Sequence, residues 1–285
     1  MGTLRDVSDF LNRSTGGASG NPETIFFYKN GTKGGAAPTS YNTNSVVSLW
    51  GIDGFPASGV FPPASGEVTT SATSGALRVS GATGSLERKL TGFAAQNAAA
   101  SQIILYDRLY HKSGFNANTT NLQLVQGSPP TSSLITRNTS GVGNFMFYEI
   151  TTQFGATLTL MDVEYINDLG LTSSSTVPMG GGSTYPYFNI NNCGMIPLNP
   201  SDSGVSAITK VGLRAATGAG VFSIVIGKYL GAVSNGQIAS KGTMDFNYVI
   251  SGHPKIENGA CLSFLAKIIS ASQVDIIGSI SVISV

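Results

Sequence analysis

The run GVFSIVIGKYL (220–230) decides how this chain is read. It is short, apolar at its centre, rich in β-branched residues and bounded by glycines, which is the pattern of a β-strand. Four similar runs accompany it: AITKVGLRA (207–215), MDFNYVI (244–250), CLSFLAKIIS (261–270) and VDIIGSISVISV (274–285). Their spacing, with turn residues between, predicts a sandwich or a barrel. In CLSFLAKIIS the order of apolar residues fits a helix nearly as well as a strand.

Working toward the N-terminus, IFFY (25–28), VVSLWG (46–51), ALRVS (76–80) and SQIILYDRLYH (101–111) read as further strands. NFMFYEITTQ (144–153) and ATLTLMDVEYI (156–166), separated by Phe154 and Gly155, read as a hairpin. In the second, Leu158, Leu160, Asp162, Glu164 and Ile166 share one parity, and neither parity is purely apolar, so both faces are expected to be partly covered. Residues 54–75 and 167–186 read as loops, rich in Gly, Pro, Ser and Thr. The expectation is a mainly β fold with an antiparallel sandwich or jelly-roll-like core over residues 22–285, either one unit or two β subdomains divided near 167–186. No period of 20–50 residues marks a propeller or solenoid.

Residues 1–21 differ from the rest. TLRDVSDFLNR (3–13) carries a capping-box-like spacing at Thr3 and Asp6. Leu4, Val7, Phe10 and Leu11 form one apolar stripe at helical spacing. STGGASGN (14–21) then breaks the helix. The prediction is a short amphipathic helix on a Gly/Ser leash, docking on a neighbour or covering the edge of its own sheet.

Composition narrows the chemistry. Of 285 residues, 16 are Lys or Arg, 15 are Asp or Glu and 36 are Gly; 11% are charged, against about one quarter in an average domain. A net charge of +1 supplies no field for nucleic acid or an anionic membrane. No apolar run reaches the roughly 18–20 residues of a membrane span, and MGTLRDVSDF lacks a signal-peptide core, so a chain made in a cytoplasm is expected. Cys193 and Cys261 read as buried, reduced thiols.

The motifs of catalysis and metal binding do not occur. No Ser lies in G-x-S-x-G, and there is no C-x-x-C, H-x-x-x-H or calcium loop. Gly227-Lys228 lacks the glycine and the hydroxyl residue of a phosphate loop. Asp162 and Glu164 would share a strand face, where exposure or pairing with Lys or Arg explains them better than a cation. His111 reads as a strand-end or interface residue, His253 as a turn residue, and the aromatics of 185–188 as a packed loop anchor. No catalytic, cofactor or metal residue is predicted.

Several stretches nevertheless form a set: MGTLRDVSDFLNRSTGG (1–17), VSLWGIDG (47–54), LTGFAAQ (90–96), ILYDRLYH (104–111), SGVGN (140–144) and CLSFL (261–265). In this order they resemble a family of tailed-bacteriophage virion proteins, and the resemblance spans the chain. It implies a non-enzymatic structural part of the virion. No long spine helix of a major capsid protein is present, so the expected role is a capsid decoration or cement protein; the alternative is a tail component, head fibre or receptor-binding protein. The implied partners are the major capsid protein and copies of the chain itself, as a trimer or other homo-oligomer. The expected interface residues are Leu4, Val7, Phe10 and Leu11 on the arm. Trp50, Tyr106, Arg108 and His111 are assigned to the fold or a subunit interface.

Overall fold

Alternating burial along the apolar runs turns nearly all of them into strands. The computed structural model describes residues 21–30, 41–62, 66–81, 86–125, 135–180, 189–236, 241–245, 252–270 and 274–285. The predicted helix over 3–13, with Leu4, Val7, Phe10 and Leu11, lies outside the described residues, as do the aromatics of 185–188. Among the described residues there is no helix, and every strand pairing is antiparallel. The first strands are β1 (Glu23–Asn30), β2 (Val46–Ser48), β3 (Gly54–Phe55), β4 (Glu67–Val68), β5 (Arg88–Asn97) and β6 (Ser101–Asn116). Next come β7 (Gln123–Leu124), β8 (Asn144–Thr152), β9 (Leu158–Asn167), β10 (Thr172–Gly180), β11 (Asn192–Ile196) and β12 (Val205–Leu213). The last are β13 (Val221–Asn235), β14 (Lys241–Asp245), β15 (Lys255–Ile256), β16 (Leu262–Ile268) and β17 (Asp275–Ser284).

The central sheet closes on itself. Its order is β13-β8-β11-β2-β16-β6, and β13 also pairs with β6. The circuit can be followed residue by residue. Gln102 of β6 faces Lys267 of β16, and Lys267 faces Val46 of β2. Val46 faces Cys193 of β11, Cys193 faces Glu149 of β8, and Glu149 faces Ser223 of β13. The flanking residues Phe222 and Ile224 return to β6 at Phe115 and Lys112. One turn therefore climbs from Gln102 to beyond Lys112 on the same strand, the stagger that strongly tilted barrel strands require. The long β6 and β13 form the spine of this barrel. β4 continues the wall beside the upper part of β6, through Glu67–His111 and Val68–Tyr110.

Alternation along each strand gives the barrel two kinds of side chain. Tyr106, Phe147, Cys193, Val225 and Leu265 turn inward and pack on one another. The outward set is covered by two further sheets. One side carries the sheet β14-β5-β17-β1-β3, with Leu90, Phe93, Phe27 and Ile280 against Ile103, Leu105, Phe264 and Leu262 of the barrel. The other carries β10-β9-β12-β7, with Met161, Val163, Tyr165 and Val211 against Met146, Tyr148, Phe222 and Ile224. The expectation of antiparallel β structure holds, and the stacked layers share the barrel wall between them.

Three sequence expectations need correction. The runs 144–153 and 156–166 do not form a hairpin: β8 pairs with β11 and β13, while β9 pairs with β10 and β12. Between them the chain crosses from barrel to outer sheet, with Phe154 buried in the core it crosses. Residues 172–180 are a strand rather than loop. β10 is the edge partner of β9 across a turn closed by Gly170 N–H to Asn167 O (3.1 Å) and Asn167 N–H to Leu171 O (2.9 Å). CLSFLAKIIS, expected as a strand, is one, paired on both edges. The described residues of 54–75 are loop apart from β3 and β4, and 76–80 contribute only the bridge Leu77–Leu262.

The crossing at Gly155 admits no side chain: a Cβ there would lie 1.9 Å from the Thr217 carbonyl oxygen. Gly155→Ala is expected to destabilise the protein by about 1–3 kcal/mol, the usual cost of overpacking. Gly236→Ala, with nothing within 4 Å of its Cβ, is the control and should stay within about 0.5 kcal/mol of the parent in a denaturant titration.

Candidate functional site

Four of the residues that the sequence leaves between fold and interface meet at one end of the barrel interior. Trp50, Tyr106, Arg108 and His111 are all 0–1% exposed. A side chain without accessible surface cannot contact a partner, so within this chain they belong to the fold and not to an interface. Tyr106 and Arg108 point inward from β6, as do Phe147 and Glu149 from β8. Arg108 Nη2 donates to Glu149 Oε2, and Arg108 Nη1 donates to the Tyr106 hydroxyl at 2.9 Å. The guanidinium lies 4.4 Å from the centroid of Trp50 and 6.0 Å from that of Phe147. A planar cation suits this place, since it forms hydrogen bonds in its plane and stacks through its faces.

Trp50 closes the barrel end from the segment after β2. Its indole N–H donates to Val60 O at 3.1 Å, and its own carbonyl accepts from Gly59 N–H at 2.6 Å. A Cβ on Gly59 would stand 2.1 Å from the indole, so only glycine fits beneath the ring. His111 completes the plug, with its ring edge-on to Trp50 at 6.1 Å and to Phe61 at 5.8 Å. Neither of its ring nitrogens has a hydrogen-bond partner among the described residues.

Burial and charge set the protonation states here. Burial opposes the charge on Arg108, but the adjacent Glu149 carboxylate outweighs it and raises the pKa. Burial pushes the Tyr106 phenol up as well. His111 is held well below 6.5 by burial and then by Arg108. Burial raises the Cys193 thiol far above its ordinary value, with Glu149 adding to it, and raises Cys261 to about 12. Both cysteines are free and buried, and neither is set up as a thiolate nucleophile. Asp107, on the opposite parity of β6, accepts from Nε and Nη2 of Arg137 (3.0 and 2.8 Å) and from the Cys261 N–H (2.8 Å). On the outer face of β9, Asp162 pairs with Arg214 at 2.8 Å and Glu164 with Lys210 at 2.7 Å, which explains that carboxylate pair without a cation.

One exposed apolar cluster lies elsewhere. On the outward face of the β1 sheet, Phe26 is 69% exposed, Tyr28 51%, Phe55 54% and Ile277 60%. Tyr28 faces Phe55 on one side and Ile277 on the other, and Phe26 shares its face of β1. Across the sheet the neighbours are small and uncharged: Ser279 beside Phe26, with Ala94 beyond it. Beneath, the buried Lys29 holds the β3 loop in place, its ammonium donating to Ile52 O (2.9 Å) and Pro56 O (2.7 Å). The IFFY run carries half of this patch, but sequence alone does not tell which of its aromatics face out.

No family model and no curated protein matches the chain. Among solved structures it is similar to the VP2 subviral particle of infectious bursal disease virus, with 9% identity and a TM-score of 0.19 over 93% of this chain and 80% of that one. The Gx and Gt strains of the same virus give 11% and 13% identity and TM-scores of 0.16 and 0.14, each over 92% of this chain and 65% of the other. Likeness at this level carries no argument about fold or function.

Two measurements test the barrel interior. Glu149→Leu strands the Arg108 charge and is expected to cost about 3–5 kcal/mol, whereas Arg108→Met/Glu149→Leu together should recover most of that loss. His111 is neutral in the fold and titrates near 6.5 when unfolded, so the unfolded chain binds more protons below that pH. Stability should therefore fall as pH drops below about 6.5, by up to about 1.4 kcal/mol per pH unit for this group. In His111→Phe that part of the acid sensitivity should vanish from the pH dependence of unfolding.

Proposed function

We propose that this chain is a non-enzymatic virion structural protein, a decoration or cement protein of a tailed phage, which attaches to the assembled shell through the outward face of its β1 sheet. The observation that carries the proposal is the cluster Phe26, Tyr28, Phe55 and Ile277. Four large apolar side chains, each at least half exposed and adjacent across three strands, mark an interaction surface. The low charge of the whole sequence and its resemblance to tailed-phage virion proteins support the same reading.

The partner is the major capsid protein, with copies of the chain, as a trimer or other homo-oligomer, side by side on the lattice. In this proposal the arm adds a second contact, its helical stripe Leu4, Val7, Phe10 and Leu11 laid on a neighbour. A protein that binds only the assembled lattice raises lattice stability by mass action. Many copies, each burying an area near the standard ~800 Å² per partner, would make that effect large. No cofactor, nucleic acid or membrane enters this mechanism.

The test is co-expression with the major capsid protein of the same virus, followed by sedimentation and thermal unfolding of the shells. The chain should co-sediment with assembled shells and raise their unfolding temperature. Phe26→Ser/Ile277→Ser should lower occupancy about tenfold or more at limiting concentration, in line with loss of central apolar contacts. Equal occupancy by this variant would contradict the assigned face. Labelling confined to the tail would replace the shell reading with the tail one.

A further inference from the structure

A second site lies between the barrel wall and β15, a strand that pairs with β5 and is separated from β1 by β5 and β17. Two irregularities in the β13–β6 register, between Ile226 and Gly227 and between Tyr229 and Gly231, bracket Lys228 and Tyr229. Bulges break alternation and re-aim side chains. Here they leave the Tyr229 ring 49% exposed in the middle of a long strand whose neighbouring Leu230 is buried. Beside it opens a cleft of about 310 Å³, whose walls include Asp107, Asn138, Lys228, Tyr229, Lys255 and Glu257. That volume sits at the lower end of small-molecule sites, the size of one ring with its substituents.

The polar groups of the cleft are partly spent and partly open. Both Asp107 oxygens are engaged by Arg137, and Oδ1 also accepts from Cys261 N–H. Lys228 donates to the Val142 carbonyl at 2.7 Å and has no carboxylate partner among the described residues, leaving further N–H donors. Asn138 donates through Nδ2 to Val142 O and to Asn144, which leaves its Oδ1 as an acceptor. Glu257 meets Lys255 through Oε1 at 3.1 Å, which leaves Oε2. The lining carries two lysines and two acids, of which Asp107 is already paired with Arg137 and Glu257 with Lys255. Two stretches singled out in the sequence meet here. ILYDRLYH supplies Asp107, and SGVGN supplies the carbonyl that holds Lys228. Gly143, at φ +69°, makes room for the lysine, since a Cβ there would lie 2.8 Å from its Nζ.

A half-exposed aromatic residue flanked by both donors and acceptors, beside a cleft of this size, suits a ligand with one apolar face and several hydroxyls. A pyranose offers an apolar C–H face for the ring and hydroxyls that each donate and accept. We propose that this cleft binds a neutral pyranose unit of a glycan, with Tyr229 as its platform and Lys228, Asn138 and Glu257 as its hydrogen-bonding groups. An anionic ligand would face the like charge of Glu257 and could not donate to the Asn138 oxygen.

Saturation-transfer NMR on the full chain tests this, with methyl β-glucopyranoside, methyl β-galactopyranoside, methyl α-mannopyranoside and N-acetylglucosamine offered singly. At least one should receive saturation on its ring protons. Tyr229→Ala should weaken that binding about fivefold or more, while Tyr229→Phe retains it. Phe26→Ser, on β1 and separated from β15 by β5 and β17, should leave it unchanged, so the outcome is independent of shell attachment. Transfer to none of the four sugars would overturn the proposal. So would equal binding by a folded Tyr229→Ala, or displacement of the sugar by inorganic phosphate at matched ionic strength.

Discussion

The structure depends on ring closure. β2 and β11 are short, yet they join β16 to β8 and so complete the circuit that β6 and β13 begin. The narrowest link is Asn191, at φ 68°, which donates its N–H to Ile150 O at 2.9 Å and accepts from Ser48 N–H at 2.8 Å. Once the ring is closed, its interior is a fixed volume that side chains must fill. Tyr106, Phe145 and Phe147 fill one part, with ring centroids 5.7–5.8 Å apart. Arg108 and Glu149 fill the other as a salt bridge with no exposed surface. A Cβ at Gly227 would come within 2.7 Å of Tyr106 and 2.9 Å of Phe145, so the backbone itself forms part of that packing.

From this interior the rest follows outward. The barrel wall presents an apolar exterior on two sides, and each of the other sheets buries one face against it. The ionisable groups are few and mostly paired. Arg88 meets Glu23, Arg137 meets Asp107, and Lys255 bridges Glu87 and Glu257. A buried pair of this kind adds little net stability compared with apolar packing, but losing one member is costly. The Arg108–Glu149 pair is best understood as setting which strands face the lumen and in what register.

Much of the strand content could be read from the sequence, because β6, β12, β13, β16 and β17 are apolar runs bounded by turn residues. Closure could not be read, because it resides in pairings between distant segments and in bulges that shift alternation partway along β6 and β13. The same bulges concealed which of Tyr106, Arg108 and His111 would be internal. β5 carries Gly92, Ala94 and Ala95, residues of weak strand preference, and its packing against β17 and β14 supplies what propensity does not. β10 resembled a loop because its Ser and Thr alternate outward on an edge strand, where Pro178 is tolerated. The apolar patch of the β1 sheet was half visible in IFFY, but Phe55 and Ile277 join it only through pairing. Tyr229 carried no signal, since its setting depends on two bulges and a cleft that other segments build.

The central claim, a closed barrel filled by the Arg108–Glu149 pair, is tested most directly by native-state amide hydrogen exchange at Ser48. Its N–H donates to Asn191 across the narrowest link. If the ring is closed, this amide should exchange only through global unfolding, with the same protection as the amides of β6 and β13. Fast exchange at Ser48 while β6 and β13 stay protected would show an open sheet and would contradict the account.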